Sequence, residues 1–265
     1  MNALHVTSAP GTLLVDFGGE RRVLSSAVLG GGIGSAHGWL NATVPTDYDR
    51  LDPDVDLAER AAALGFARPL VGMLTAVDVA RVERARRGVA TVFATVGVGH
   101  ALAAAGTRPR VVPAVGTINL LVVVDAALDD AALVGAAQTA VEAKAQALAA
   151  AAIPARNADC HATGTATDSI CVAALPGGGI PFAGPATAVG ADLAHAVHAA
   201  ILAGARADRA DFGPRYDTGL LPLPAGSAGA GAAPVVRGSG AVGGAPAAPG
   251  SGAVGSAPLV AEERQ

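Results

Sequence analysis

Hydroxyls, a carboxylate and a glycine are packed into the eight residues Ala162-Thr163-Gly164-Thr165-Ala166-Thr167-Asp168-Ser169, directly ahead of the apolar run Ile170-Cys171-Val172-Ala173-Ala174-Leu175. A chain places reactive or ligand-gripping groups on a rigid element in this way, with the glycine allowing the backbone close to whatever is held. The bland reading is a threonine-rich start to a strand, its hydroxyls satisfying turn backbone. Lys144 and Glu142 offer further charge. On an alanine-rich helix from Asp129 to about Ala152, the residues Leu133, Val134, Ala137, Val141 and Leu148 share one arc; Lys144 falls inside it and Glu142 on its flank. An ammonium on an apolar arc either snorkels to water or serves a site.

Other single residues carry weaker signals. His100 ends the glycine turn Gly97-Val98-Gly99, a candidate binding loop at a strand's end. Asn119, behind Gly116 and Thr117, is either a turn former or a grip on an amide. His195 and His198 stand three apart on a helix without a further ligand at metal spacing. The cluster Gly30-Gly31-Gly32-Ile33-Gly34 lacks the endings of a phosphate loop, so a bulge or a close backbone approach is the better account. Cys160 and Cys171 make neither a zinc spacing nor a disulfide framework.

These residues need elements to hold them. Thr12 to Phe17, Gly18-Gly19 and Glu20 to Ser25 read as a hairpin on a two-glycine turn, followed by a strand through Trp39-Leu40-Asn41. A helix spans Asp54 to Leu64 and stops at Gly65; after Val71 to Ala76 a second is expected to about Arg87, with Arg81, Arg84, Arg86 and Arg87 on its solvated face. Val89 to Val96 and Thr117 to Asp125 are strands, the second buried. Pro176 to Pro181 reads as a turn or loop, and a last helix runs from Thr187 through Leu202. Tight early connections and helical later ones predict an α/β fold, a layered sandwich with a mixed β-sheet flanked by helices in a single domain.

With 265 residues and 51% hydrophobic content the chain has ample material for a core, and a net charge of −4 gives no footprint for nucleic acid. No long aliphatic run or leader-like N-terminus is apparent, so a cytoplasmic protein without membrane association is expected. From Pro222 the composition turns to Ala, Gly, Pro and Ser, and Gly238-Ser239-Gly240-Ala241-Val242-Gly243 recurs at Gly250 to Gly255. Residues 1–213 are therefore expected to form the folded domain and 214–265 a disordered tail.

Taken in order, Met73-Leu74-Thr75-Ala76, Thr95 to Ala101, Gly116-Thr117-Ile118-Asn119-Leu120, Thr139 to Lys144, Ala162 to Asp168 and Ala188-Val189-Gly190 resemble the adenosylcobinamide amidohydrolase family of corrinoid salvage, over roughly residues 20 to 205. The chain departs from it at Val96-Gly97, where Ala-Gly is usual, at His100, where Asn is usual, and at Val115, where Ala is usual. The resemblance implies cleavage of the amide joining the aminopropanol arm to the corrin ring, releasing adenosylcobyric acid for coenzyme B12 assembly. The corrinoid is then substrate and no further cofactor or metal is called for; a homo-oligomer is compatible with the sequence. Amide hydrolysis needs an activated water or nucleophile, donors for the oxyanion and an acid for the departing amine. On this implication Glu142 or Asp168 is the base, Lys144 and the Gly164-Thr165 backbone hold the oxyanion, and Thr163 or Thr165 is an alternative nucleophile. Asn119 orients the amide, and Thr75, His100, Thr117, Thr163 and Gly164 bind substrate in a pocket large enough for a corrin, far beyond drug size. The alternative function is a corrinoid carrier or sensor without chemistry.

Overall fold

The computed structural model describes residues 3–106 and 116–217, with side chains to residue 211. Along the chain these form β1 (His5–Ala9), β2 (Thr12–Ser25), β3 (Gly32–Thr43), α1 (Pro53–Ala63), β4 (Leu70–Thr75), a 3-10 turn (Val79–Arg81), β5 (Glu83–Arg87), β6 (Ala90–Val96), β7 (Ala101–Leu102), β8 (Ile118–Leu128), α2 (Asp130–Ala150), β9 (Gly164–Thr165), β10 (Ser169–Ile180) and α3 (Ala188–Asp217). Eight strands build one sheet in the order β4-β3-β2-β10-β8-β6-β5, with β1 added on β2; β7 and β9 pair separately. The sheet is mixed: β3 and β4 run parallel, as do β8 and β10, and the other neighbours are antiparallel. An α/β architecture with a mixed sheet flanked by helices is thus what forms.

Strand periodicity sorts the core into faces. On β8, Ile118, Leu120, Val122 and Val124 point to α2 and α3, while Leu121 and Val123 point the other way. That second face meets Val15, Phe17, Trp39, Val71 and Met73 from β2, β3 and β4. Two limbs of one sheet share this inner core, so the sheet curls upon itself. The curl is pinned across its gap, since Asn119 on β8 donates to the Leu74 carbonyl of β4 at 2.8 Å although β3, β2 and β10 lie between them in hydrogen-bond order. Outside the other limb, α1 packs Leu57 and Ala61 on Leu14 and Leu40.

Helix α2 buries Ala132, Leu133, Ala136, Thr139, Ala140, Ala143, Ala147 and Leu148. Val134 and Val141, expected on the apolar arc, are 43% and 45% exposed. Alanine on this stripe lets α3 approach closely, bringing in Leu193, Val197 and Ile201; the larger valines are left outside. The span 188–211 of α3 is long enough to cross a membrane and holds an 18-residue window of mean hydropathy 1.3, but Leu193, Ala196, Val197, Ala200, Ile201 and Ala205 are committed to this core.

Three element assignments are corrected. The segment after the 3-10 turn is not helix but β5, an edge strand paired with β6; Glu83, Arg84, Arg86 and Arg87 fit a helix period of 3.6 but also suit an edge strand, where charge deters further pairing. Gly18-Gly19 does not turn the chain. It lies within β2, where the register with β3 shifts between Asp16 and Arg21; glycine pairs permit bulges as readily as turns. Likewise 176–179, expected as loop, belongs to an irregular stretch of β10 whose register against β8 shifts before Ile180. Within the cluster at 30–34, Gly30 and Gly31 make a close approach: a Cβ on Gly30 would meet the Leu70 carbonyl oxygen at 2.5 Å and one on Gly31 the Ala27 carbonyl oxygen at 2.4 Å. Helix α3 continues to Asp217, past the expected limit at Leu202, and the rest of the predicted tail lies outside the described residues.

Candidate active site

Because β8 and β10 run parallel, with Asn119 opposite Ser169, the residues just before each strand meet at one edge of the sheet. Thr117 precedes β8 and Asp168 precedes β10. Helix α2 leaves the far end of β8 and returns antiparallel, so its later half comes back to that same edge and delivers Lys144. The short pairing of Ala101 with Thr165 and Leu102 with Gly164 fixes the approach to β10.

Asp168 is the hub. One carboxylate oxygen, Oδ1, accepts from the Ile118 amide at 3.1 Å and from the Thr165 hydroxyl; the other, Oδ2, accepts from the Thr165 amide at 3.1 Å and from the Lys144 ammonium. Side-chain exposures of 12% for Lys144 and 16% for Asp168 place this pair largely out of solvent, where a charge-assisted contact outweighs a surface ion pair. Gly164 is required by this packing, since a Cβ would lie 2.5 Å from Asp168 Oδ2 and 2.8 Å from Lys144 Nζ.

In front of Asp168 opens a cavity of about 650 Å³. Thr117, Thr167, Asp168 and Ser169 form one wall, the loop after β3 with Val44, Pro45 and Tyr48 another, and Met73, Leu74 and Thr75 of β4 complete it. The Thr117 hydroxyl donates to the Thr167 carbonyl at 3.1 Å. The volume lies in the range of ordinary small-molecule sites and corrects the expectation of a pocket far beyond drug size; Val28, among its lining residues, is 58% exposed.

The structure therefore brings Lys144, Gly164, Thr165 and Asp168 together, with Thr117 and Thr75 on the adjoining cavity. It does not bring Glu142, which is exposed on α2 and lines no part of the cavity; two positions along a helix turn it away from the face that carries Lys144. Thr163 is exposed and its hydroxyl accepts from the Ala104 amide at 2.9 Å, a turn-satisfying role. Asn119 is fully buried on the inner sheet face rather than at the cavity, donating to Asn41 Oδ1 and the Leu74 carbonyl, both at 2.8 Å, while Asn41 donates to Thr95 Oγ1 at 2.9 Å. It holds the cavity wall from behind. His100 is 2% exposed with neither ring nitrogen hydrogen-bonded, and burial, assisted by the positive Arg156, pushes its pKa below the usual 6.5. It too is absent from the cavity lining.

Cys160 is exposed and Cys171 buried, its thiol pushed up to about 12 by burial. Among the described residues no three of His, Cys, Asp and Glu gather as a metal site, and His195 is exposed on α3. Sequence reasoning missed Tyr48, Ser26 and the Asn41–Thr95 link. Only Tyr48 left a trace, as an aromatic outside any apolar run in a chain with 3% aromatic content.

The sequence profile described as adenosylcobinamide amidohydrolase matches residues 2–211. A Halobacterium salinarum protein named adenosylcobinamide amidohydrolase is 37% identical over 175 residues, covering 61% of this chain and 70% of its own. One of the same name from Methanosarcina mazei is 30% identical over 189 residues, covering 68% of this chain and 88% of its own.

Proposed function

This chain belongs to the adenosylcobinamide amidohydrolase family and is a hydrolase, and on that premise we propose that it cleaves the aminopropanol amide of adenosylcobinamide, giving adenosylcobyric acid for coenzyme B12 salvage. The observation that carries the chemistry is Asp168 at the cavity wall with Lys144 on one oxygen and the Thr165 hydroxyl on the other. A carboxylate has about four acceptor sites, and four donors already occupy those of Asp168. Of these donors the Thr165 hydroxyl is the one that supplies an oxygen nucleophile on losing its proton.

Thr165 Oγ1 attacks the amide carbon as its proton passes to Asp168; the C–N bond then breaks and aminopropanol leaves with that proton. A water attacks the resulting ester as its proton passes to Asp168; the bond from the carbonyl carbon to Thr165 Oγ1 breaks, Asp168 returns that proton to Thr165 Oγ1, and the corrinoid carboxylic acid departs. Lys144 holds Asp168 in place throughout. Direct activation by Asp168 of a water that displaces one of its four donors is the second reading, favoured by Asp168 itself lining the cavity, which Thr165 does not.

The test is incubation of the full chain with adenosylcobinamide, measuring free aminopropanol and the corrinoid acid. Asp168→Asn keeps shape but removes the proton acceptor, so turnover falls by roughly two to four orders of magnitude with corrinoid still bound. No release by the wild-type protein, or full turnover by Asp168→Asn, overturns the reading.

A further inference from the structure

The cavity has two kinds of wall. Opposite the hydroxyls and carboxylate at the starts of β8 and β10 stand Val44, Pro45, Met73, Leu74 and Tyr48, the sole aromatic among the lining residues. The chain has five Phe, two Tyr and one Trp, and Phe17 and Trp39 are spent in the inner core. Tyr48 is different, because it is half-buried on a loop and its hydroxyl donates to Asp56 Oδ2 at 3.1 Å.

That anchor is itself fixed. Asp56 is 7% exposed in the first turns of α1, and its other oxygen accepts from Arg60 at 3.0 Å and Arg50 at 3.4 Å; Arg60 also reaches the Thr43 carbonyl at the end of β3. Burial alone would raise the Asp56 carboxyl, but the hydrogen bonds from Arg60 and Tyr48 outweigh it and hold the group below the ordinary carboxylate range. A phenol tied at its hydroxyl presents its ring in one orientation, with little rotamer freedom left to lose on contact.

Resting on the proposed corrinoid substrate, we infer that Tyr48 is a substrate-positioning residue whose ring stacks on a flat conjugated part of the corrinoid, so that the amide arm is directed across the cavity to Asp168. The conjugated part is either the adenine of the axial nucleoside or the edge of the macrocycle.

The test uses the full chain with Tyr48→Ala, Tyr48→Leu and Tyr48→Phe. Dissociation constants come from ultrafiltration, reading the corrinoid by its visible absorbance, and kcat and KM from aminopropanol release. Tyr48→Ala is expected to raise Kd and KM about ten- to a hundredfold, the scale of one aromatic stacking contact, with the larger share of the loss in KM. Tyr48→Leu does the same and replaces it if the alanine variant does not fold. Tyr48→Phe keeps the ring but loses its anchor, and falls between. Repeating the series with methylcobinamide separates the sources: a penalty that disappears assigns the stack to adenine, and one that persists assigns it to the macrocycle. A Kd for Tyr48→Ala and Tyr48→Leu within about twofold of wild type, or Tyr48→Phe as damaging as Tyr48→Ala, overturns the inference. Wild-type protein that binds cobinamide without releasing aminopropanol overturns the hydrolytic reading alone, since Kd still reports on Tyr48.

Discussion

Replacing Gly164 by Ala should disable the site while leaving the fold in place. The added Cβ would sit 2.5 Å from Asp168 Oδ2 and 2.8 Å from Lys144 Nζ, against ordinary contact from 3.4 Å. Asp168 must therefore withdraw by about 1 Å or part from Lys144, and misplacement on that scale costs on the order of a hundredfold in rate. Gly164 does not occupy the left-handed region, so backbone strain adds nothing. Overpacking costs about 1–3 kcal/mol, and the stiffer unfolded chain returns about 0.4–1 kcal/mol. A net loss of at most about 2.6 kcal/mol leaves a domain of ordinary stability folded. Gly34→Ala is the control, since Gly34 pairs with Val23 on β2 and has nothing within 4 Å of its would-be Cβ. Aminopropanol release and a thermal melt are measured on both variants. Gly164→Ala turning over within about threefold of wild type, with its melt unchanged, would refute the claim that catalysis depends on the Lys144–Asp168 contact.

Further outcomes test the assignment of roles. Thr165→Ser should retain most activity and Thr165→Val should lose about a hundredfold or more if the hydroxyl attacks; a near-normal rate for Thr165→Val, with no covalent corrinoid adduct by mass spectrometry, selects the water mechanism. Exposed Glu142 should tolerate Gln with activity within about twofold of wild type, so a large loss would restore it to the chemistry. Buried His100 binds its proton less readily folded than unfolded, so stability should fall as the pH drops below 6.5. His100→Asn should flatten that part of the pH–melting curve, and an unchanged slope would assign the acid sensitivity elsewhere.

What the sequence disclosed depended on how local each signal was. The strand β8, the caps of α1 and the alanine-rich α2 are written in contiguous residues, and so was the Thr163–Asp168 stretch. Lys144 was legible as an ammonium out of place, and its partner explains why it is there. Asn119 was misjudged because β8 is apolar on both faces; periodicity alone does not say which face looks into the curl and which at the helices. Once Asn119 shares parity with Leu121 and Val123, it points at Asn41 and Leu74 across the inner core. That depends on β4 being folded back over β8, a long-range property with no local trace. The edge strand β5 failed differently, since its arginines satisfy a helix face and a solvated strand equally well.

The position of the cavity follows from topology and differs from the common arrangement, in which open α/β sheets bind ligands beyond the carboxyl ends of parallel strands. Val44, Pro45 and Ala76 do lie beyond the carboxyl ends of the parallel pair β3 and β4, with Thr75 the last residue of β4, but Thr117, Thr167 and Asp168 lie before the amino ends of the parallel pair β8 and β10. The curl brings these unlike ends face to face. Each contributes what its position allows: the carboxyl-end loops supply Pro45 and Tyr48, and the amino ends supply the amides of Thr165 and Ile118, which point at Asp168. A flat sheet would keep the two sets apart, so the Asn119 bond to the Leu74 carbonyl, remote from any reacting atom, is part of what makes the cavity a site.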